Sequence, residues 1–110
     1  MSEAINQILV QLRQFRDERD WAQFHNPKDL ALALSIEAAE LNEQFLWKTA
    51  DQANQDRVQE ELADVLLYAF QLADLYGWDI PQLMQQKIAR NAEKYPTDKA
   101  KGNATKHTEF

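Results

Sequence analysis

The sequence predicts an all-α chain, an antiparallel four-helix bundle that assembles into an oligomer. Three observations carry that expectation. Its 110 residues include only two glycines and three prolines, so long stretches lack the residues that most often break helices. Apolar side chains recur at three- and four-residue spacing rather than alternating. Each gap between such stretches carries a capping or stop signal. A chain of this length makes one domain with a single core.

The first helix is predicted from Ser2, an N-cap residue, to about Arg19, with Ile5, Ile8, Leu9, Leu12 and Phe15 on one face. Arg13, Arg16 and Arg19 lie mostly off that face and read as solvated surface. Trp21 to His25 is a connector. Asn26-Pro27 reads as N-cap and first residue of a second helix, with Asp29 supporting the free amides; this helix runs to between Gln44 and Trp47. Thr49 to Asn54 is the turn, and either Asp51 or Asn54 caps a third helix that stops at Gly77 after Tyr76. Asp79 with Pro81 opens a fourth helix that must end before Pro96, because a residue preceding proline avoids the helical region. The domain therefore spans 1–96. Residues 97–110, polar and without apolar period, are expected to form an extended tail.

The third helix is apolar around much of its circumference from Leu62 to Leu75. A monomeric bundle buries one stripe per helix, so this excess points to a subunit interface. The net charge of −6 argues against a nucleic-acid partner, which needs a basic face. With no cysteine there is no thiolate metal site and no thiol nucleophile. The start Met1-Ser2-Glu3-Ala4 lacks signal-peptide character and no long apolar run exists, so no membrane association and a cytoplasmic location are expected.

Within this helical frame the acidic residues are misplaced for an ordinary helix. Glu37 sits inside the apolar stripe of Leu34, Leu41 and Phe45, and Glu61 sits between Val58 and Val65. Glu37 with Glu40, and Glu61 with Asp64, are i, i+3 pairs that share a helix face. The two pairs mirror each other about the midpoint between residues 50 and 51, so a chain folding back there brings all four carboxylates to one height. Such groups repel one another unless protonated or bridged by a cation. Oxygen-only donors select a hard ion, magnesium first and manganese as a substitute. A di-iron bundle would want Glu-x-x-His on two helices, whereas the histidines are His25 and His107, in the connector and the tail. The competing reading is that the pairs are solvated faces of acidic helices.

Magnesium commonly shares its coordination with substrate phosphates. Lys87, Asn91 and Lys94 recur at i, i+4, i+7 and could contact a phosphate, or form a solvated basic edge. Trp21 and Trp47 flank the acidic region and could sandwich a base, or pack in the core. Tyr68 follows Asp64 by one turn, on the same face.

Glu37-x-x-Glu40, a twenty-residue gap and Glu61-x-x-Asp64 resemble the metal motif of the MazG-like, all-α nucleoside triphosphate pyrophosphatases. Lys87-x-x-x-Asn91-x-x-Lys94-Tyr95-Pro96 resembles that family's downstream segment. Glu18-Arg-Asp-Trp21-x-Gln-Phe-His25-x-Pro27, Phe45-Leu-Trp47-Lys48 and the tail Lys101 to Lys106 resemble its dCTP pyrophosphatase branch. The resemblance implies magnesium-dependent hydrolysis of a nucleoside triphosphate, dCTP or a 5-modified dCTP, between the α and β phosphates, giving the monophosphate and pyrophosphate in nucleotide-pool sanitation. It implies Glu37, Glu40, Glu61 and Asp64 as catalytic metal ligands, one of which, or a metal-bound hydroxide, activates the attacking water. It implies Lys87 and Asn91 as phosphate or sugar contacts, Trp21 and Trp47 as walls of the base pocket, and Tyr68 near the sugar. It also implies a homotetramer, a dimer of dimers with sites at subunit interfaces. Leu12 stands where vertebrate-type members carry a histidine, which bears on cytosine preference. Two other readings share the frame: a broad-specificity house-cleaning pyrophosphatase, and a non-catalytic helical module that binds nucleotide and oligomerises.

Overall fold

A computed structural model describes residues 2–109. α1 spans Glu3–Glu18, and the Ser2 hydroxyl accepts the Ile5 amide at 3.3 Å. Past its end, the Arg19 guanidinium donates to the Phe15 carbonyl and lies 3.6 Å over the Phe15 ring. A single 3-10 turn, Ala22–Phe24, carries the chain to Asn26. α2 spans Pro27–Glu43, and the Asn26 side chain accepts the Asp29 amide at 2.9 Å, as the Asn-Pro pair predicts.

α2 ends at Glu43, near the earlier of the two predicted limits, and the chain turns away through Trp47, which holds a left-handed φ of 59°. Thr49 and Gln52 then form a capping box around the 3-10 turn Ala50–Gln52. α3, Gln55–Tyr76, is capped by Asn54, whose side chain accepts the amides of Asp56 and Arg57. Asp51 is occupied elsewhere, by the Thr49 hydroxyl. Gly77 ends α3 with φ 72°, a conformation that suits glycine. α4, Ile80–Lys94, starts on an Asp79 side chain that accepts the Gln82 amide at 3.0 Å, and it stops before Tyr95-Pro96.

α2 and α3 form a helical hairpin packed along its length, and α1 lies against α3. Leu9, Ala73 and Ile80 form the buried cluster, with Ile5, Leu12 and Phe70 packed against it; Leu30 is buried on α2. Arg13 on α1 makes a two-point ion pair with Asp74 on α3, Nε to Oδ2 at 2.9 Å and Nη2 to Oδ1.

Two expectations are corrected. One chain does not close a four-helix bundle. The apolar stripe of α4 begins in the core at Ile80 and then runs past it, leaving Leu83, Met84 and Ile88 exposed. The radius of gyration, 17.2 Å, exceeds the roughly 13 Å of a compact domain this long. The tail is not extended throughout either. Beyond Pro96 a one-turn helix, α5, spans Thr97–Ala100, and a 3-10 turn spans His107–Glu109. These turns rest on local bonds rather than on an apolar period: Asn103 donates to the Lys99 carbonyl at 2.8 Å, and the His107 ring meets Tyr95 edge-on at 5.4 Å.

Candidate metal centre and the groove beside it

The hairpin brings the two acidic pairs to one level. One carboxylate oxygen from each of Glu37, Glu61 and Asp64 falls within 4.8 Å of the others. Glu40 stands beside this triad, near enough for its charge to act on both Glu37 and Glu61. The cause is register: α2 and α3 are antiparallel arms of a turn centred where the sequence mirrors, so i, i+3 pairs on each arm face each other.

The electrostatics are those of a site short of positive charge. Burial, then Glu40 and the charges of Asp64 and Glu61, push the Glu37 carboxyl up to about 7. Glu61 is raised too, chiefly by burial and by the Glu40 charge. The Tyr68 phenol is raised by burial and then by Glu37. Glu37 Oε2 and Glu61 Oε2 are both buried with no hydrogen-bond partner. A buried carboxylate oxygen left without a donor is costly. A divalent cation with oxygen ligands fits: it supplies the missing partner to both atoms and cancels the repulsion.

Next to this cluster, a groove of about 420 Å³ runs between α1 and α3. Its apolar lining comes from Ile8, Leu12 and Phe15 of α1 and Leu67 of α3, with Trp21 as an end wall. Phe15 meets Trp21 edge to face at 5.7 Å, which fixes the indole. Asp64 and Tyr68 form the side that borders the acidic cluster. The groove falls within the size of small-molecule sites.

The residues singled out in the sequence thus divide. Glu37, Glu40, Glu61 and Asp64 converge, and Trp21 and Tyr68 share the adjoining groove. Trp47 is 94% exposed at the turn end of the hairpin and does not line that groove. Lys87 and Asn91 are exposed on α4. The charges that lower the Lys87 ammonium are Lys94, two turns along the same face, and Arg90, not the carboxylates. Sequence reading missed further polar members of the groove: Gln11, Gln71, Arg16, which it took for solvated surface, and the His25 ring, whose Nδ1 is buried without a partner. Gln71 had a legible signal, since it stands seven residues after Asp64 on the face that carries Tyr68. His25 had none.

A family model described as the MazG-like family matches residues 32–110. Among characterised proteins, the chain is similar to dCTP pyrophosphatase 1 of mouse (39% identical over 105 residues), rat (41%) and human (39%). In each case the match covers 88% of this chain and 62% of the relative. The chain therefore spans less than two thirds of the length of these relatives. Among solved structures, a pyrophosphatase from Archaeoglobus fulgidus superposes with a TM-score of 0.80 at 37% identity, covering 87% of this chain and 95% of that one.

Proposed function

The chain belongs to the MazG-like family, and from that premise we propose that it is a divalent-metal-dependent nucleoside triphosphate pyrophosphatase. It hydrolyses a deoxynucleoside triphosphate, dCTP or a 5-modified dCTP, to the monophosphate and pyrophosphate. The single observation that carries the reading is the pair of buried, partnerless oxygens of Glu37 and Glu61 inside a cluster of carboxylates, beside a groove sized for a nucleoside. The likeness to dCTP pyrophosphatases supports the substrate class.

Glu37, Glu40, Glu61 and Asp64 would hold the cation, magnesium or manganese. When bound, it neutralises charge on the α-phosphate and on the departing pyrophosphate. The chain's own residues do the positioning. Asp64 and Tyr68, shared by cluster and groove, set the α-phosphate at the acidic end while the base enters between α1 and α3 against Trp21. Water attacks the α-phosphorus, the bond from that phosphorus to the bridging oxygen breaks, and the free carboxylate lone pairs of the cluster take the water's proton.

The site is completed by a second copy. Trp47 is an almost fully exposed indole held at a left-handed φ, and Leu62 and Leu66 on α3 and Leu32 and Ile36 on α2 are about half exposed. These are i, i+4 apolar pairs on the outside of the hairpin, where a partner hairpin would bury them. Pairing of this kind, repeated as a dimer of dimers, closes the bundle and brings Trp47, Lys87 and Asn91 of another copy to the nucleotide.

The test is pyrophosphate and monophosphate release from a panel of ribo- and deoxynucleoside triphosphates, with and without magnesium. Magnesium-dependent release, fastest with dCTP or a 5-substituted dCTP, is expected. Equal rates across bases keep the chemistry and favour the broad house-cleaning reading. Nucleotide binding without release would overturn the enzyme in favour of a binding module.

A further inference from the structure

We infer that Asp20 and Gln23 are positioning residues that hold the Trp21 indole in place as a wall for the base before any nucleotide arrives. The inference rests on the nucleotide chemistry proposed above and deepens it by naming what sets one side of the pocket. Trp21 closes one end of the groove and is half-exposed, so a flat ligand can reach it. An indole free to swing must be immobilised when a base stacks on it, whereas one fixed in advance adds no such cost to binding.

The geometry that fixes it is the end of α1. The Trp21 N–H reaches back to the Arg16 carbonyl at 3.0 Å, and the Asp20 N–H to the Asp17 carbonyl at 3.1 Å. These are the paired bonds of a Schellman ending, which turns on one left-handed residue and is usually built on glycine. Asp20 takes that place, with φ 54°. Such an ending also sets the next residue against the last apolar turn of its helix. Here Trp21 meets Phe15 edge to face at 5.7 Å, and the Arg19 guanidinium holds the Phe15 ring from 3.6 Å. Among the described residues one other non-glycine has a positive φ, and it is Trp47, the second tryptophan proposed for the base. Left-handed backbone on a residue with a side chain is costly and collects at binding sites.

Aspartate at this place does something that the helix end alone does not require. The Gln23 amide nitrogen donates to the Asp20 carbonyl at 2.9 Å and to Asp20 Oδ2 at 3.1 Å. The Trp21 carbonyl accepts the Phe24 amide at 2.9 Å. Asp20 and Gln23 thus clamp the segment that carries Trp21, and the indole is tied on both sides of its own backbone. Glycine would keep the turn and relieve its left-handed backbone. It would also drop the carboxylate and widen the range of φ open to the residue. The product of the clamp is a preformed indole, not a more stable helix.

The experiment is a double-mutant cycle between Asp20→Gly and Trp21→Ala on the full chain with magnesium, reading KM and kcat for dCTP and the melting temperature. Asp20→Gly should raise KM by about threefold to fivefold, as the stacking-competent fraction falls by that factor, with kcat and melting temperature unchanged. Gln23→Ala should do the same. Asp20→Asn tolerates the left-handed region and keeps an acceptor for Gln23, so it should recover most of the loss. In the Trp21→Ala background, Asp20→Gly should have no further effect on KM. A residue that only ends the helix would move the melting temperature and act alike with or without the indole. An unchanged KM in Asp20→Gly, or the same rise with Trp21 absent, overturns the assignment. So does a wild-type KM in Trp21→Ala, which leaves no wall to position. Absence of pyrophosphate release from the wild type would instead overturn the reaction. The cycle is then read from calorimetric dCTP affinities, where the same non-additivity supports the clamp, and additive losses or no dCTP binding remove it.

Discussion

The inner face of the α2–α3 hairpin and the outer face of α4 both carry residues that the sequence singles out, yet they stand differently in one chain. On the hairpin, three carboxylates meet, with Glu40 beside them, because the turn sits at the mirror point of the sequence. On α4, Lys87 and Asn91 share a face that is exposed among the described residues, and the apolar stripe beside them is exposed too. The lesson is that the ion-binding half is encoded locally, by i, i+3 pairs and one turn. On the proposed reading, the nucleotide-binding half draws on a surface that another copy supplies.

The largest expected effect breaks the hairpin half. Glu40→Gln or Asp64→Asn should cut pyrophosphate release by about 10²–10³-fold, with helical circular dichroism unchanged. Wild-type turnover in either variant removes that residue from the ligand set.

The comparison itself is broken or upheld by mixing. Glu61→Gln disables the acidic half and Lys87→Ala the α4 half, so each alone should be nearly inactive. If the halves come from different copies, refolding the two together should restore roughly a quarter of wild-type activity, the share expected from random pairing of two chains. No recovery would place both halves in one chain.

A smaller effect sharpens the role of the exposed indole. Trp47→Ala should raise KM by about tenfold with little change in kcat, since stacking on a base is worth about 1–3 kcal/mol. An unchanged KM would leave Trp47 a packing residue between copies.

The smallest effect is on stability without metal. Glu37 titrates at about 7 in the folded chain, above its ordinary 4.5. A raised carboxyl favours the fold below its unfolded value, and that contribution is lost as pH rises through the folded one. The Arg13–Asp74 pair works in the opposite sense, since Asp74 is held below the usual carboxylate range by Arg13, but its contribution is lost only at acid pH, below this window. The melting temperature in EDTA should therefore fall by a few degrees between pH 5 and 8, and Glu40→Gln should flatten that fall. A melting temperature that rises over this window would contradict the crowding of Glu37.

Much of the fold was legible because its signals are local. Ser2, Asn26, Asn54, Asp79 and Gly77 act at the helix ends the sequence assigns to them. The convergence of Glu37 and Glu61 was legible because charge inside an apolar stripe breaks the amphipathic pattern. The direction of α4 was not, because periodicity gives a helix its apolar face without saying whose core that face enters. The tail's short turns escaped for a related reason: four residues are too few to show a period. Gln71 was hidden by its type, since a glutamine on a helix is ordinary until an apolar groove is seen around it.

The central claim is that these carboxylates bind a divalent cation and must lose a proton to do so. Calorimetric titration of magnesium into the full chain at pH 7, in two buffers of different ionisation heat, tests it directly. The account predicts binding accompanied by proton release, seen as a buffer-dependent heat, with both binding and release lost in Glu61→Gln. Binding of equal strength in Glu61→Gln, or no binding by the wild type, would contradict it.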